Sequence, residues 1–197
     1  MLGGTGIFPL SKAVSLTVAE HEPCIGQSDD WFTPPEIFEA LGLTFDLDPC
    51  SPGPRHWVPA RKIYTKVDDG LSQPWDGLVF MNPPFGSRNG HVPWLQKFLE
   101  HANGIAIVRA YTSSAWFHEW AIRAETMLFP RGKTKFVRPD GSIGRAPGHG
   151  IVLLGMGEIA NDALQRSELG FFQRVWRNPL PAACALARLG QYGHLDP

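Results

Sequence analysis

The stretch Leu78-Val79-Phe80-Met81-Asn82-Pro83-Pro84-Phe85-Gly86 constrains this chain more than any other. Four apolar residues in a row read as a buried parallel strand. A polar Asn, two prolines, an aromatic ring and a glycine follow at once. Proline fixes its own φ and restricts the residue before it, so the turn is stiff. The Asn82 side chain and the Pro83 carbonyl then point in set directions at the carboxyl end of the strand. Open α/β sheets bind their ligands at that end. An amide oxygen beside a backbone carbonyl makes a pair of acceptors suited to holding an amino group. The Phe85 ring can stack on the flat ring that carries such a group. The plainer alternative is a proline-rich turn with no chemical role.

The pattern around this turn is that of an α/β protein. Thr33 is placed to cap a helix with Pro34 at its first position, Ile37, Phe38 and Leu41 on its apolar face, and Gly42 at its end. Leu43–Asp48 alternates apolar with polar, as a strand does. Residues 55–75 read as irregular, with a turn at Asp68-Asp69-Gly70. Helical spacing returns over Val92–Leu99 and stops at Asn103-Gly104. Ile105–Val108 is a second buried strand. Thr112 or Ser113 is expected to cap a helix bearing Trp116, Phe117, Trp120 and Ile122. Thr126–Phe129 and Ile151–Leu154 read as strands, the latter as the last in the core. Arg131–Arg138 reads as a short basic strand or hairpin arm turned by Pro139-Asp140-Gly141. A helix is expected over Asp162–Leu169, and the segment beyond it has no assignable pattern. Helices alternating with short apolar strands imply a mainly parallel, twisted sheet with flanking helices.

Composition narrows the function classes. A chain of 197 residues fits one domain with a sizeable core, and 43% of it is hydrophobic. A net charge of −1 argues against tight unspecific binding to DNA, yet leaves room for a local basic face. Cys24, Cys50 and Cys184 are scattered and form no CxxC pair, and no two histidines have ligand spacing, so neither a disulfide framework nor a metal site is expected. No apolar run reaches roughly eighteen residues and no signal peptide is evident, so a soluble, cytoplasmic chain without membrane contact is expected. Residues 1–28 read as a loose arm, with a short helix or strand around Ala13–Val18.

Two segments before the Asn82 turn suit a second ligand. The strand ending Asp46-Leu47-Asp48-Pro49-Cys50 sets carboxylates at its carboxyl edge, where they can pair with a ligand amine. Asp48 can instead close an Asx turn before Pro49. Asp69-Gly70-Leu71 supplies an acidic side chain and a following amide that can read a ribose or a base; the alternative is a surface turn. Trp31, Thr33 and Pro34 can cover the ligand from the first helix, although Trp31 also fits a hydrophobic staple. The Gly-rich phosphate loop of nucleotide folds is absent, and only Ser51-Pro52-Gly53 stands in its place.

Taken in order, Trp31-Phe32-Thr33-Pro34, Phe45-Asp46-Leu47-Asp48-Pro49-Cys50, Asp69-Gly70-Leu71, Trp75, Asn82-Pro83-Pro84-Phe85, Trp116-Phe117 and Arg131-Gly132-Lys133-Thr134-Lys135-Phe136 resemble the phage-type DNA N6-adenine methyltransferases. The resemblance spans about residues 29–156. It implies a Rossmann-like methyltransferase domain over residues 29–170, followed by a C-terminal tail at 171–197. It implies S-adenosylmethionine as methyl donor, held by Trp31, Thr33, Pro34, Asp46, Asp48, Pro49, Cys50, Asp69, Gly70 and Leu71. The acceptor it implies is adenine in double-stranded DNA, flipped out to Asn82, Pro83, Pro84 and Phe85. Relatives often close the turn with Tyr; Phe85 keeps the ring and lacks the hydroxyl. The polar, glycine-rich segment Gly86–His91 is expected to act as a flap. Arg131, Lys133, Lys135 and Arg138 can bind phosphates, with Arg88 reaching the target strand; the alternative for the basic segment is a solvated edge strand. The same turn also serves cytosine N4, RNA and protein-glutamine methyltransferases, and a non-catalytic nucleic-acid-binding relic stays open. A monomer or homodimer, resident in the host cytoplasm if phage-encoded and protecting phage DNA from restriction, completes the expectation.

Overall fold

The computed structural model describes residues 31–53, 57–84, 90–138, 140–144 and 149–175. The expected arm at 1–28, with its element around Ala13–Val18, lies outside these residues. Among the described residues seven strands form one sheet: β1 (Phe45–Asp48), β2 (Ala60–Ile63), β3 (Val79–Met81), β4 (Gly104–Arg109), β5 (Thr126–Pro130), β6 (Ile151–Met156) and β7 (Gly170–Arg174). Their order is β2-β1-β3-β4-β6-β5-β7. Four helices flank it: α1 (Pro35–Leu41), α2 (Val92–His101), α3 (Ala115–Glu119) and α4 (Glu158–Arg166). Among the described residues no helix is long and apolar enough to cross a membrane.

The layers follow from which side chains each strand turns to each face. Val79, Met81, Ala106 and Val108 pack with Leu95 and Phe98 of α2 and with Trp116 and Phe117 of α3. Phe80, Ile105, Ile107, Leu128 and Leu153 pack with Ile37, Phe38 and Leu41 of α1 and with Ala160, Ala163 and Leu164 of α4. The result is a helix–sheet–helix sandwich. In β1 the alternation breaks. The amides of Asp46 and Leu47 both donate to the Leu78 carbonyl, at 2.7 and 3.3 Å. Two residues against one is a bulge, and it sends Phe45 and Leu47 to opposite faces.

Only half of the sheet matches the parallel expectation. β2, β1, β3 and β4 run parallel, whereas β6 is antiparallel to β4 and to β5, and β7 is antiparallel to β5. The connection from β5 to β6 explains this. A parallel neighbour needs a crossover, usually a helix. The described residues between β5 and β6 include no helix, and β6 returns alongside β5.

Several local expectations shift. Thr33 does not cap α1: Pro34, extended at φ −65° and ψ 146°, takes the cap position and Pro35 starts the helix. Gly42 ends it in the left-handed region at φ 61°, with its amide on the Phe38 carbonyl. α2 is closed by Ala102 at φ 58° rather than by Asn103-Gly104, and Gly104 already opens β4. Ser114, not Thr112 or Ser113, precedes α3, which ends before a short 3-10 turn over Ala121–Arg123 that carries Ile122. α4 starts at Glu158, earlier than Asp162, because the Glu125 carboxylate accepts the Gly157 amide at 3.0 Å and the Asn161 amide at 2.6 Å. Within the stretch read as irregular, β2 forms a half-exposed edge. β7 carries the sheet into the unassigned C-terminal segment as far as Arg174. The basic segment forms no regular strand, but it does turn back as a hairpin arm: Val137 bridges Phe32 and Ile143, the Arg138 amide donates to the Ser142 carbonyl at 2.9 Å, and the Gly144 amide donates to the Phe136 carbonyl at 2.8 Å.

Candidate functional site

The chain leaves β1 toward β2 on one side, and leaves β3 toward β4 on the other. The sheet therefore changes direction between β1 and β3. In open α/β sheets the ligand crevice lies outside the carboxyl ends of the strands at such a point. Asp48 ends β1 and Asn82 follows β3 at this crevice.

Asn82 is oriented by the first described residues of the chain. Its Nδ2 donates to the Trp31 carbonyl at 3.1 Å. A carbonyl can only accept, so the amide cannot turn over, and Oδ1 is forced to the other side. That oxygen is buried and has no hydrogen-bond partner among the described residues. Such an acceptor costs about 1–3 kcal/mol until a donor reaches it. Pro83 is buried and Pro84 exposed. Phe85 and Arg88 lie outside the described residues.

Asp48 is 3% exposed, and its carboxylate accepts the Cys50 amide at 3.1 Å. The Asx turn is therefore present. Burial still dominates, and raises the Asp48 pKa to about 7. The Cys50 thiol is pushed up by burial and by the Asp48 charge, while the Asn82 backbone amide faces its sulfur. Cys50 thus joins the end of β1 to the Asn82 turn as a neutral thiol. Asp46 serves the sheet instead. It pairs with Arg61 of β2 at 2.8 Å and accepts the Leu78 amide at 2.8 Å.

Asp69-Gly70-Leu71 is brought against the same strand end. A Cβ on Gly70 would collide with the Pro49 carbonyl, so only glycine allows this approach. Asp69 is exposed at φ 51°. Trp75 Nε1 donates to the Gly70 carbonyl at 2.8 Å. Lys97 of α2 donates to the carbonyls of Leu71 and Gln73, each at 2.5 Å. Sequence reasoning passed over this lysine, which reads as an ordinary solvated position on α2.

The N-terminal segment and the basic arm close one side. Phe32 and Val137 exchange backbone hydrogen bonds at 2.9 and 3.0 Å. The Arg138 guanidinium lies 5.5 Å from the centre of the Trp31 ring. Arg131, Lys133, Lys135 and Arg138 are all exposed. Thr33 is buried, its hydroxyl has no partner among the described residues, and its carbonyl accepts from Trp57 Nε1 at 2.7 Å. Pro34 is spent on the helix start.

Immediately before α2, at the end of the segment expected to act as a flap, lies a histidine whose burial no sequence pattern announces. His91 is 2% exposed, and neither ring nitrogen has a partner among the described residues. Its ring meets Trp116 edge-on at 4.4 Å. Burial and the positive Arg109 hold its pKa below the usual imidazole range, so it stays neutral. No group of three or more potential metal ligands occurs among the described residues.

A family model described as DNA N-6-adenine-methyltransferase (Dam) matches residues 24–182. Neither the curated proteins nor the solved structures include a match.

Proposed function

The chain belongs to the DNA N-6-adenine-methyltransferase (Dam) family, and on that premise we propose that it transfers a methyl group from S-adenosylmethionine to the N6 amino group of adenine in DNA, at the Asn82 turn. One observation carries this reading: the Asn82 amide is tied by its donor end to Trp31 and keeps a buried acceptor with no partner among the described residues.

The residues present fit the methyl donor. Asp48 offers a buried carboxyl to a cation, Thr33 an unpartnered hydroxyl, and the Gly70 turn a backbone edge close to the end of β1. The absence of a phosphate loop fits a donor without phosphate. Bound there, S-adenosylmethionine supplies a methyl group activated by a sulfonium. A mixed sheet whose β1–β4 half is parallel, with its crevice between β1 and β3, supports a Rossmann-like methyltransferase fold.

Adenine N6 is a poor nucleophile because its lone pair is delocalised into the ring. Asn82 Oδ1 and the Pro83 carbonyl accept its two N–H groups, which favours a pyramidal nitrogen and frees the lone pair. With the donor bound, the freed lone pair would be aimed at its methyl group, the sulfur would leave as the thioether, and the proton lost from N6 would pass to solvent. The chain contributes positioning and preorganised acceptors rather than a covalent intermediate. Cys50, a neutral buried thiol, takes no part as nucleophile. The base leaves the duplex to reach the turn, and Phe85 stacks on it. Arg88, Arg131, Lys133, Lys135 and Arg138 hold the DNA backbone.

The test is to incubate the purified chain with S-adenosylmethionine and unmethylated DNA, digest to nucleosides and analyse by mass spectrometry. N6-methyladenine is expected. N4-methylcytosine would keep the mechanism and change the base, and no methylated nucleoside would overturn the reading.

A further inference from the structure

β4 runs past the level of the Asn82 turn. Met81 of β3 is paired with Ala106, which sets Asn82 level with Ile107. At about 3.3 Å per residue, Arg109 lies roughly 7 Å further along the same edge. Tyr111 follows it, 43% exposed. An exposed tyrosine normally keeps its rotamer freedom. This one is fixed. Its carbonyl accepts the Ser114 amide at 3.0 Å and the Ser114 hydroxyl at 2.6 Å. Its hydroxyl lies 3.4 Å from His149 Nδ1, and the two rings meet at 5.2 Å and 64°. The Arg109 guanidinium is 5.8 Å from its ring centre. The Ala110 amide donates to the Gly150 carbonyl at 2.9 Å, which pins the two segments together. Arg109 and Lys133 both lie within electrostatic reach of His149.

An exposed aromatic ring with one cation beside it and a second acting on its histidine partner suits a nucleotide: a base on the ring, a phosphate by the cations. Because ring and hydroxyl are already ordered, binding costs little further side-chain entropy. Resting on the DNA methyltransferase reading above, we propose that Tyr111 is the stacking surface for a base of the target strand next to the flipped adenine, with Arg109 and Lys133 on the neighbouring phosphate. Stacking of this kind is tolerant of sequence. It fixes the strand without choosing the site.

The test measures binding of a short fluorescein-labelled DNA duplex by anisotropy for the full chain, Tyr111→Ala and Tyr111→Phe, together with thermal midpoints and methyl transfer. Tyr111→Ala is expected to weaken DNA binding about tenfold, and Tyr111→Phe by no more than about twofold, with thermal midpoints unchanged. Wild-type affinity in Tyr111→Ala would overturn the proposal. So would an equal loss in Tyr111→Phe, which would assign the effect to the His149 contact rather than to the ring. Methyl transfer by the wild-type chain alongside unaltered DNA binding in Tyr111→Ala would remove this proposal alone. Weakened DNA binding in Tyr111→Ala from a chain that methylates no DNA would remove the enzymatic reading and leave the DNA surface standing.

Discussion

At the scale of single residues, two carboxylates that look alike in the sequence have been given different work. Asp46 and Asp48 lie on the same strand, but Asp46 is paired with Arg61 and accepts the Leu78 amide, whereas Asp48 is buried with one backbone donor. The difference was not legible, because Arg61 sits on an edge strand with no apolar pattern. Asn82 was legible, because a proline pair after an apolar run dictates where its side chain goes. Its orienting partner, Trp31, lies 51 residues away in sequence and was not. For Asp48, the pH dependence follows from the sign of its shift. Its pKa is raised from 3.8 in the unfolded chain to about 7, so the folded protein binds the extra proton between those values. Its contribution to stability is therefore fullest at low pH and is lost as pH rises through about 7. A cationic ligand favours the ionised form. S-adenosylmethionine binding is expected to release a proton below pH about 7, read by calorimetry in two buffers of different ionisation enthalpy. Asp48→Asn is expected to abolish that release, and equal heats in both buffers for the wild type would rule out Asp48 as the cofactor's counter-charge.

At the scale of elements, the strands read in advance are those with a largely buried face, β1 by its alternation and β5 among them. β3, β4 and β6 are continuous apolar runs, while β2 and β7 at the edges are half-exposed and carry no such signal. The direction of β6 was illegible for another reason: nothing in residues 131–150 announces whether the chain crosses over or returns. The segment 69–73 shows how an element far from the turn is tied to the site. Lys97, on α2, gathers three carbonyls of that segment and lies 5.2 Å from the Trp75 ring centre. Replacing Lys97 by Met removes the charge and leaves these carbonyls without their donor. A loss of about 1–3 kcal/mol is expected in denaturant unfolding. Weaker cofactor binding with an unchanged kcat at saturation is expected alongside it; a fall in kcat alone would show that this segment acts on chemistry rather than on binding.

At the scale of the molecule, a chain of net charge −1 that is proposed to act on DNA would have to hold that polyanion with local charge. Its exposed cations at Arg131, Lys133, Lys135 and Arg138 belong to an excursion that folds onto Phe32 next to the crevice. They were legible as a basic run on a hairpin arm, and the arm does turn back through the Arg138–Ser142 and Gly144–Phe136 backbone bonds; the alternative of a regular strand fails, since a charge run reports its composition and not its backbone. Few phosphate contacts mean a shallow salt dependence. The logarithm of DNA affinity is expected to fall with the logarithm of salt with a slope of about −0.9 per contact, so these four cations contribute about −3 to −4. Lys135→Ala is expected to reduce that slope by about one while lowering affinity equally for all sequences. An unchanged slope would place the phosphates elsewhere on the surface.

The measurement that bears most directly on the chemistry is single-turnover methylation by Asn82→Ala, with cofactor affinity measured on the same sample. The orphaned Oδ1 predicts a rate lower by about a hundredfold or more, with cofactor affinity and unfolding midpoint close to wild type. Turnover near the wild-type rate would contradict the role of Asn82 as the acceptor that activates the target amino group.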